Sequence, residues 1–389
     1  MNKKISLGLA LSLIAIASAV TFILTSFFSL QSFNEKVVDV NEKSKKYSAL
    51  QTLDGYVREN YLGDINEDLL NSGILKGYVD GLGDKYSRFL TADEYQSEIS
   101  DNSGELVGLG LTLTEDESGY IRIAEILQDS PIIDSGLIVG DIITFVDGND
   151  VLLTGFDESV EAMKGQEGTN ITITVRRDGV DTDFVFTRQS IEITSVTGEM
   201  LNGYIGYIKI NSFKKNTTEQ FIETLERLTS NGAKAFVFDV RDNGGGLISA
   251  LEECIDPLLP EGVVATAEYN DGRSETLVYS DSSEINVPMV VLVNSQTASA
   301  GELFAASLKD FGKAELVGEQ TYGKGVMQVT NEFDDGSAVV LTVAEYKTAF
   351  SECYNGIGIT PDYVVKNEDD NTDAQFDKAV ELVKTKIEN

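Results

Sequence analysis

Two short stretches, AFVFDV (Ala235–Val240) and VPMVVLV (Val287–Val293), restrict the fold of this chain more than any other feature. Each is an almost unbroken apolar run, too short for a helix. Such a run fits a strand buried on both faces, as parallel strands are when helices cover them. The neighbouring segments agree. TTEQFIETLERLTSNG carries Phe221, Ile222, Leu225 and Leu228 at helical spacing and stops at Gly232. LISALEECIDPLL reads as a second helix, a third follows VPMVVLV, and GYIGYIKINSF reads as another strand. The alternation from about Ile191 predicts an α/β layer with parallel strands and right-handed crossovers. Reactive groups in such sheets gather at the C-terminal ends of strands. RDNGGG (Arg241–Gly246) and the turn at Ser299 both fall there.

The preceding stretch, 104–190, has a different rhythm. GLGLTL (Gly108–Leu113) and YIRIAEIL (Tyr120–Leu127) read as strands. SPIIDSGLIVGDIITFVDGNDV (Ser130–Val151) predicts a short helix, a turn at Gly140–Asp141, and a strand with a turn at Asp147–Gly148. FDESVEAMKGQEG is an amphipathic helix, and NITITVRRDGVDTDFVFTR is a hairpin turned by Asp178–Gly179. Short strands and two helices in this order resemble a PDZ domain. The resemblance implies that the loop at Leu109, Gly110 and Leu111 offers N–H groups to a peptide's C-terminal carboxylate, with the peptide added as a strand. A plain glycine turn between strands is the other reading of that loop.

Residues 35–103 repeat apolar positions at helical spacing (Leu53, Tyr56, Val57 and Tyr61, then Leu69, Leu70, Ile74, Leu75 and Tyr78). They predict a small helical region ending in a turn near Gly83–Asp84. At the N-terminus, Lys3 and Lys4 precede 26 residues without a charge, Ile5–Leu30. That length crosses a bilayer with some tilt, and the lysines favour a cytoplasmic N-terminus with the rest of the chain outside. Ala17–Ala19 resembles a signal-peptide cleavage site, but the apolar run continues past it. The expectation is an uncleaved anchor within residues 1–34.

The chain has no histidine, which removes the Ser–His–Asp triad, the Cys–His pair and the HExxH zinc site. A net charge of −34 disfavours nucleic acid as a partner. Cys254 and Cys353 lie in no CxxC pair, so no zinc or dithiol site is expected; they read as two free thiols, with one disulfide between them as the alternative, and no metal or other cofactor is expected. A serine nucleophile here needs a different base, and a lysine serves when its amine is neutral. Ser299 follows a strand and opens a helix, whose free N–H groups favour a developing oxyanion. A helix N-terminal serine with no chemistry is the bland alternative. Lys324 sits in TYGKGVMQ between Gly323 and Gly325, which permit close backbone approach; a solvated hairpin lysine is its bland alternative. Gln328 lies four residues on, the spacing that shares a strand face. The amides of RDNGGG could supply a second oxyanion donor.

Together these segments resemble the carboxyl-terminal processing peptidases, or tail-specific proteases. The resemblance runs through NYLGDINEDLLNSGILKGYVDGLGDKYSRFLTADEY, the PDZ-like stretch, DVRDNGGG, VNSQTASAGE, VGEQTYGKGVMQ and NGIGITPDYVV, and Lys324 follows Ser299 by the family's 25 residues. It implies Ser299 as nucleophile, Lys324 as general base, Gln328 as the residue orienting Lys324, and the amides of Ala300 and the Gly245 region as oxyanion hole. Two positions depart from the family pattern: Gly244 stands where proline is usual, and Gly301 where serine is common.

The expected architecture is an α/β catalytic core over 191–389 with an inserted PDZ domain (104–190), an N-terminal helical region (35–103) and a transmembrane helix (1–34). The expected function is a membrane-anchored serine endopeptidase acting outside the bacterial cytoplasmic membrane. Its PDZ domain would recognise substrate C-termini and gate activity, and its helical regions could pair two copies. The alternatives are a catalytically inactive PDZ scaffold and an acyl-CoA hydratase-like enzyme, whose folds also use glycine-turn oxyanion holes.

Overall fold

A computed structural model describes residues 8, 18, 21–22, 24–28, 45, 47–127, 130–281, 284–368 and 372–388. The chain forms two compact units, Met1–Ile74 and Leu75–Asn389. The first holds α1 (Ser48–Asn60) and the start of α2 (Glu67–Asp80). Among the described residues no helix is long and apolar enough to cross a membrane. The expected span Ile5–Leu30 lies largely outside them.

The second unit continues with β1 (Arg88–Leu90) and α3 (Ala92–Ser103). Thr91 caps α3: Glu94 N donates to Thr91 Oγ1 and Thr91 N donates to Glu94 Oε2, a reciprocal pair that satisfies two end groups. Then come β2 (Glu105–Gly108), β3 (Leu111–Glu115), β4 (Ile121–Ile126), β5 (Ile142–Val146), β6 (Asn149–Asp150), α4 (Val151–Thr154), α5 (Phe156–Met163), β7 (Asn170–Arg177), β8 (Val180–Thr187) and β9 (Gln189–Glu192). The sheet order is β3-β4-β5-β7-β8, with β6 on β5. Its core is built from Ile121, Ile123, Ile143, Ile171 and Ile173, the inward residues of strands that alternate apolar with polar. Asp178 (φ 52°) and Gly179 (φ 77°) turn the β7–β8 hairpin with the positive dihedrals that match strand twist. Strands β2 and β9 pair antiparallel, so the chain enters and leaves this domain through one ribbon. The expected short helix after Ser130 is a set of turns instead. Ile132 N donates to Ser130 Oγ there (3.2 Å), a local bond that competes with helix, while Ser130 Oγ itself donates to Leu109 O (2.6 Å) and ties the segment to the start of the domain.

The core follows as β10 (Val196–Leu201), β11 (Ile205–Ile210), α6 (Thr217–Ser230), β12 (Ala235–Asp239), α7 (Ile248–Ile255), β13 (Gly262–Tyr269), β14 (Ser274–Ser280), β15 (Met289–Val293), α8 (Ala300–Asp310), β16 (Ala314–Gly318), β17 (Val326–Glu332), β18 (Ala338–Thr348), β19 (Tyr363–Val364) and α9 (Ala374–Glu388). One sheet runs β10-β11-β12-β15-β16-β19, parallel from β11 onward with β10 antiparallel at the edge. Both its faces are covered. Phe236 and Phe238 pack with Phe221 of α6 and Phe304 of α8, while Ala235 and Val237 pack with Ala379 and Val383 of α9. That two-sided burial is why β12 and β15 read as continuous apolar runs. The Phe304 ring stands edge-on to Phe238 at 5.7 Å and fixes α8, and hence the residue before it, over the strand ends.

A second sheet, β1-β18-β13-β14 with β17 on β18, is antiparallel and was not legible from the alternation of strands and helices. It takes β1 from the N-terminal helical region 35–103, just past the turn expected near Gly83–Asp84, where no strand was expected. Three residues are too few to show a period, and their partner is Ala338–Val340, distant in sequence. At the end of β12 a partly buried network joins the start of α9 to the core. Asp239 accepts from Tyr207 OH (2.8 Å) and from Arg241, and Arg241 Nη1 donates to Asp373 (2.8 Å) and Gln375 (3.1 Å).

Candidate active site

The loops after β12 and β15 meet at the carboxyl end of the parallel sheet. Thr297 Oγ1 donates to Val240 O (2.8 Å), and Ala298 N donates to Asn243 O (2.9 Å). Asn243 is fully buried; its Nδ2 donates to Ile210 O and its Oδ1 accepts from Gly245 N, both within 2.9 Å. The turn is therefore set by one amide side chain that bonds to backbone on both sides.

Ser299 is the residue before α8 and adopts φ 54°, ψ −119°. A non-glycine residue in this region costs about 1–3 kcal/mol, and it persists only when its surroundings hold it there. The hold comes from Glu302, a residue with no exposure at all. Its Oε2 accepts from Ser299 N (3.0 Å) and also from Lys324 N (2.8 Å). Its Oε1 accepts from Gly323 N (2.7 Å) and Thr321 Oγ1 (2.5 Å). One carboxylate thus ties the serine turn to the lysine turn. Glu302 was missed in the sequence, although Ser299-x-x-Glu302 is the spacing by which a glutamate reaches back to the first amides of a helix.

Gly245 (φ 107°) lies against this turn: a Cβ there would sit 2.8 Å from Ser299 Cβ and 3.0 Å from Ala300 N. Its N–H, however, is taken by Asn243 Oδ1, so it is not available as the oxyanion donor expected of it. The N–H groups of Ala300 and Gly244 make no hydrogen bond among the described residues. Gly244 has open space where a Cβ would lie, so the turn has room for a side chain at the position where proline is usual. Gly301 is required more closely than expected, since a Cβ there would be 2.9 Å from Asn243 O.

Lys324 is not on a free hairpin. Gly323 and Gly325 let the segment 355–358 lie against the turn, where a Cβ on either would come within 2.8 Å of a backbone nitrogen. Gly356 N donates to Gly323 O (2.9 Å) and Tyr346 N to Gly325 O (3.0 Å). The Lys324 side chain is half-buried, with Nζ 4.9 Å from the centre of the Tyr86 ring. Burial, and then the charge of Arg88, hold its amine below the ordinary lysine range, while Tyr322, Asp84 and Glu302 oppose them. Among the described residues no hydrogen bond joins Lys324 Nζ to Ser299 Oγ; the serine hydroxyl faces Tyr346 OH at 3.4 Å.

Gln328 is not bonded to Lys324. Its amide donates to Thr342 Oγ1 (3.2 Å) and Val326 O (3.4 Å). Strand β17 begins only at Val326 and is bulged between Met327 and Gln328, so the two-residue period does not carry from Lys324 to Gln328. Leu109, Gly110 and Leu111 form a separate site. Leu109 is buried, Gly110 has φ 66°, and Leu111 starts β3, an edge strand of its sheet. An edge strand of this kind has unpaired backbone groups to offer a peptide. Both cysteines are free.

Residues 204–365 match the peptidase family S41, and residues 97–176 match the PDZ domain. The chain is 31% identical over 348 residues to the carboxy-terminal processing protease CtpA of Bacillus subtilis, covering 89% of this chain and 74% of that protein. It is 34% identical over 315 residues to a carboxyl-terminal-processing protease of Picosynechococcus, covering 78% of this chain and 76% of that one. Among solved structures, the photosystem II D1 C-terminal processing protease matches with a TM-score of 0.50 and 26% identity, over 82% of this chain and 87% of that one.

Proposed function

Because the chain belongs to peptidase family S41 and is a carboxyl-terminal processing serine protease, we propose that it cleaves proteins outside the cytoplasmic membrane with Ser299 as nucleophile and Lys324 as general base. The observation that carries this reading is the shared acceptor: Glu302 Oε2 holds the N–H of both residues. In the reaction, Ser299 Oγ attacks the scissile carbonyl carbon as its proton passes to Lys324 Nζ. The carbonyl oxygen takes the negative charge against the free N–H of Ala300 at the start of α8. Lysine returns the proton to the leaving amine, and water then hydrolyses the acyl-enzyme by the reverse sequence. Among the described residues Lys324 Nζ makes no hydrogen bond to Ser299 Oγ, so in this scheme the amine moves into hydrogen-bond reach of the hydroxyl before reaction. That movement is the step we assign to gating by the PDZ domain.

The PDZ loop is proposed to hold the substrate's C-terminal carboxylate. A carboxylate accepts charge-assisted hydrogen bonds from backbone N–H groups, and a carboxamide does not. In the Ser299→Ala protein, peptides with free apolar C-termini are therefore expected to bind about tenfold or more tightly than their amidated copies, as read by fluorescence anisotropy. Equal affinity of the two forms would remove the loop from substrate recognition.

The anchor proposal rests on the uncharged run Ile5–Leu30. The full-length protein is expected to remain in the membrane fraction through salt and alkaline washes, because burial of such a segment is unaffected by either. Recovery of a free protein beginning near Val20 would show a cleaved leader instead.

A further inference from the structure

Tyr346 is the residue whose side chain meets the serine hydroxyl, and nothing in the reaction above uses it. It lies on β18 and is 2% exposed. Its register is set by pairing with Ala267 of β13, and its ring packs in a small cluster with Ala306 and Tyr354. The hydroxyl is 3.4 Å from Ser299 Oγ, and among the described residues it has no other hydrogen-bond partner. Its backbone N–H grips Gly325 O, next to Lys324. One residue therefore touches the nucleophile with its side chain and the turn of the base with its backbone.

We infer that Tyr346 is a further catalytic residue, whose O–H donates to Ser299 Oγ throughout the reaction. Each hydroxyl has one hydrogen, so the pair has two arrangements. If serine donated, its proton would point at the phenol and away from the base. A phenol is the stronger acid and the better donor. With Tyr346 donating, the serine proton is free to leave toward Lys324. Burial pushes the Tyr346 phenol up, which keeps it protonated and a donor at working pH. The tyrosine proton never leaves its oxygen. The serine proton goes to Lys324 Nζ as Oγ bonds the substrate carbon, and it returns when Oγ departs in deacylation. Tyr346 supports Oγ at both points where that oxygen carries charge.

This inference rests on Ser299 being the nucleophile, and Tyr354 supplies the matched control. Tyr354 belongs to the same cluster, but among the described residues its buried hydroxyl has no hydrogen-bond partner. The experiment measures kcat and KM on an unfolded protein substrate, together with thermal melting, for full-length wild type, Tyr346→Phe, Tyr346→Met, Tyr354→Phe and Ser299→Ala. Both Tyr346 variants are expected to lose about tenfold or more in kcat with KM unchanged, which is about 1.4 kcal/mol of barrier. Tyr354→Phe is expected to keep wild-type kcat. The inference is overturned if Tyr346→Phe keeps wild-type kcat, if Tyr354→Phe loses as much, or if the losses follow lowered melting temperatures. Cleavage by Ser299→Ala would sink the nucleophile reading itself. An inactive Ser299→Ala beside a fully active Tyr346→Phe would sink the tyrosine role alone.

Discussion

Lys324→Ala protein is expected to fold and to cleave an unfolded protein substrate on the order of 10⁴-fold more slowly than wild type, as Ser299→Ala does. The chain has no histidine, and Lys324 is the cation whose turn shares an acceptor with the Ser299 turn. Lys324→Arg is expected to fail equally, because a guanidinium stays protonated and cannot accept a proton. Gln328→Ala is expected to cost far less, since that amide bonds Thr342 rather than the lysine. The pH dependence has a definite sign. The active form is the neutral amine, so activity rises as pH passes upward through the Lys324 pKa. Burial and Arg88 lower that pKa, so the rise falls below the ordinary lysine value of ~10.4. Cleavage rates and circular dichroism of the four variants check these outcomes. A folded Lys324→Ala protein with near-wild-type cleavage would rule the mechanism out.

The second large effect is expected at Glu302, which touches no substrate in this scheme and acts as a positioning residue. Glu302→Ala leaves the N–H groups of Ser299, Gly323 and Lys324 and the Thr321 hydroxyl without their acceptor in a buried place. Each orphaned donor costs about 1–3 kcal/mol, so a stability loss on the order of 3 kcal/mol or more is expected. Glu302→Gln is the sharper test because it keeps the shape. Either orientation of the amide turns its NH₂ toward at least one backbone N–H: those of Ser299 and Lys324, or that of Gly323. It is therefore expected to lose more than about 100-fold in kcat even where a melting curve shows the fold intact. The same variant should react more slowly with a fluorophosphonate, which reports the Ser299 turn directly. Wild-type labelling and cleavage by Glu302→Gln would show that the two turns hold their places without it.

Much of this molecule is legible locally. AFVFDV and VPMVVLV could be assigned to a parallel sheet because residues buried on both faces must all be apolar. The β7–β8 hairpin follows from Asp178–Gly179, and the glycines around Lys324 signal the close backbone approach that the segment 355–358 makes. These signals depend on a residue and its near neighbours in sequence. By itself, the sequence determined the layered fold of strands and helices, the strand ends where chemistry collects and, by excluding histidine, the kind of base a serine would need.

What tertiary structure alone decided is which groups meet. The three-residue strand β1 pairs with a strand far along the chain, and its own residues do not announce it. The bulge in β17 removed Gln328 from Lys324, because strand periodicity fails where an extra residue enters the ladder. Asn243 claimed the N–H of Gly245, and Glu302 claimed those of Ser299 and Lys324, through contacts fixed by three loops packing together. Tyr346 reaches Ser299 across 47 residues. The physical reason is common to all of them. Burial and backbone propensity are properties of a short segment, whereas a hydrogen-bond partner is set by where separate segments are packed.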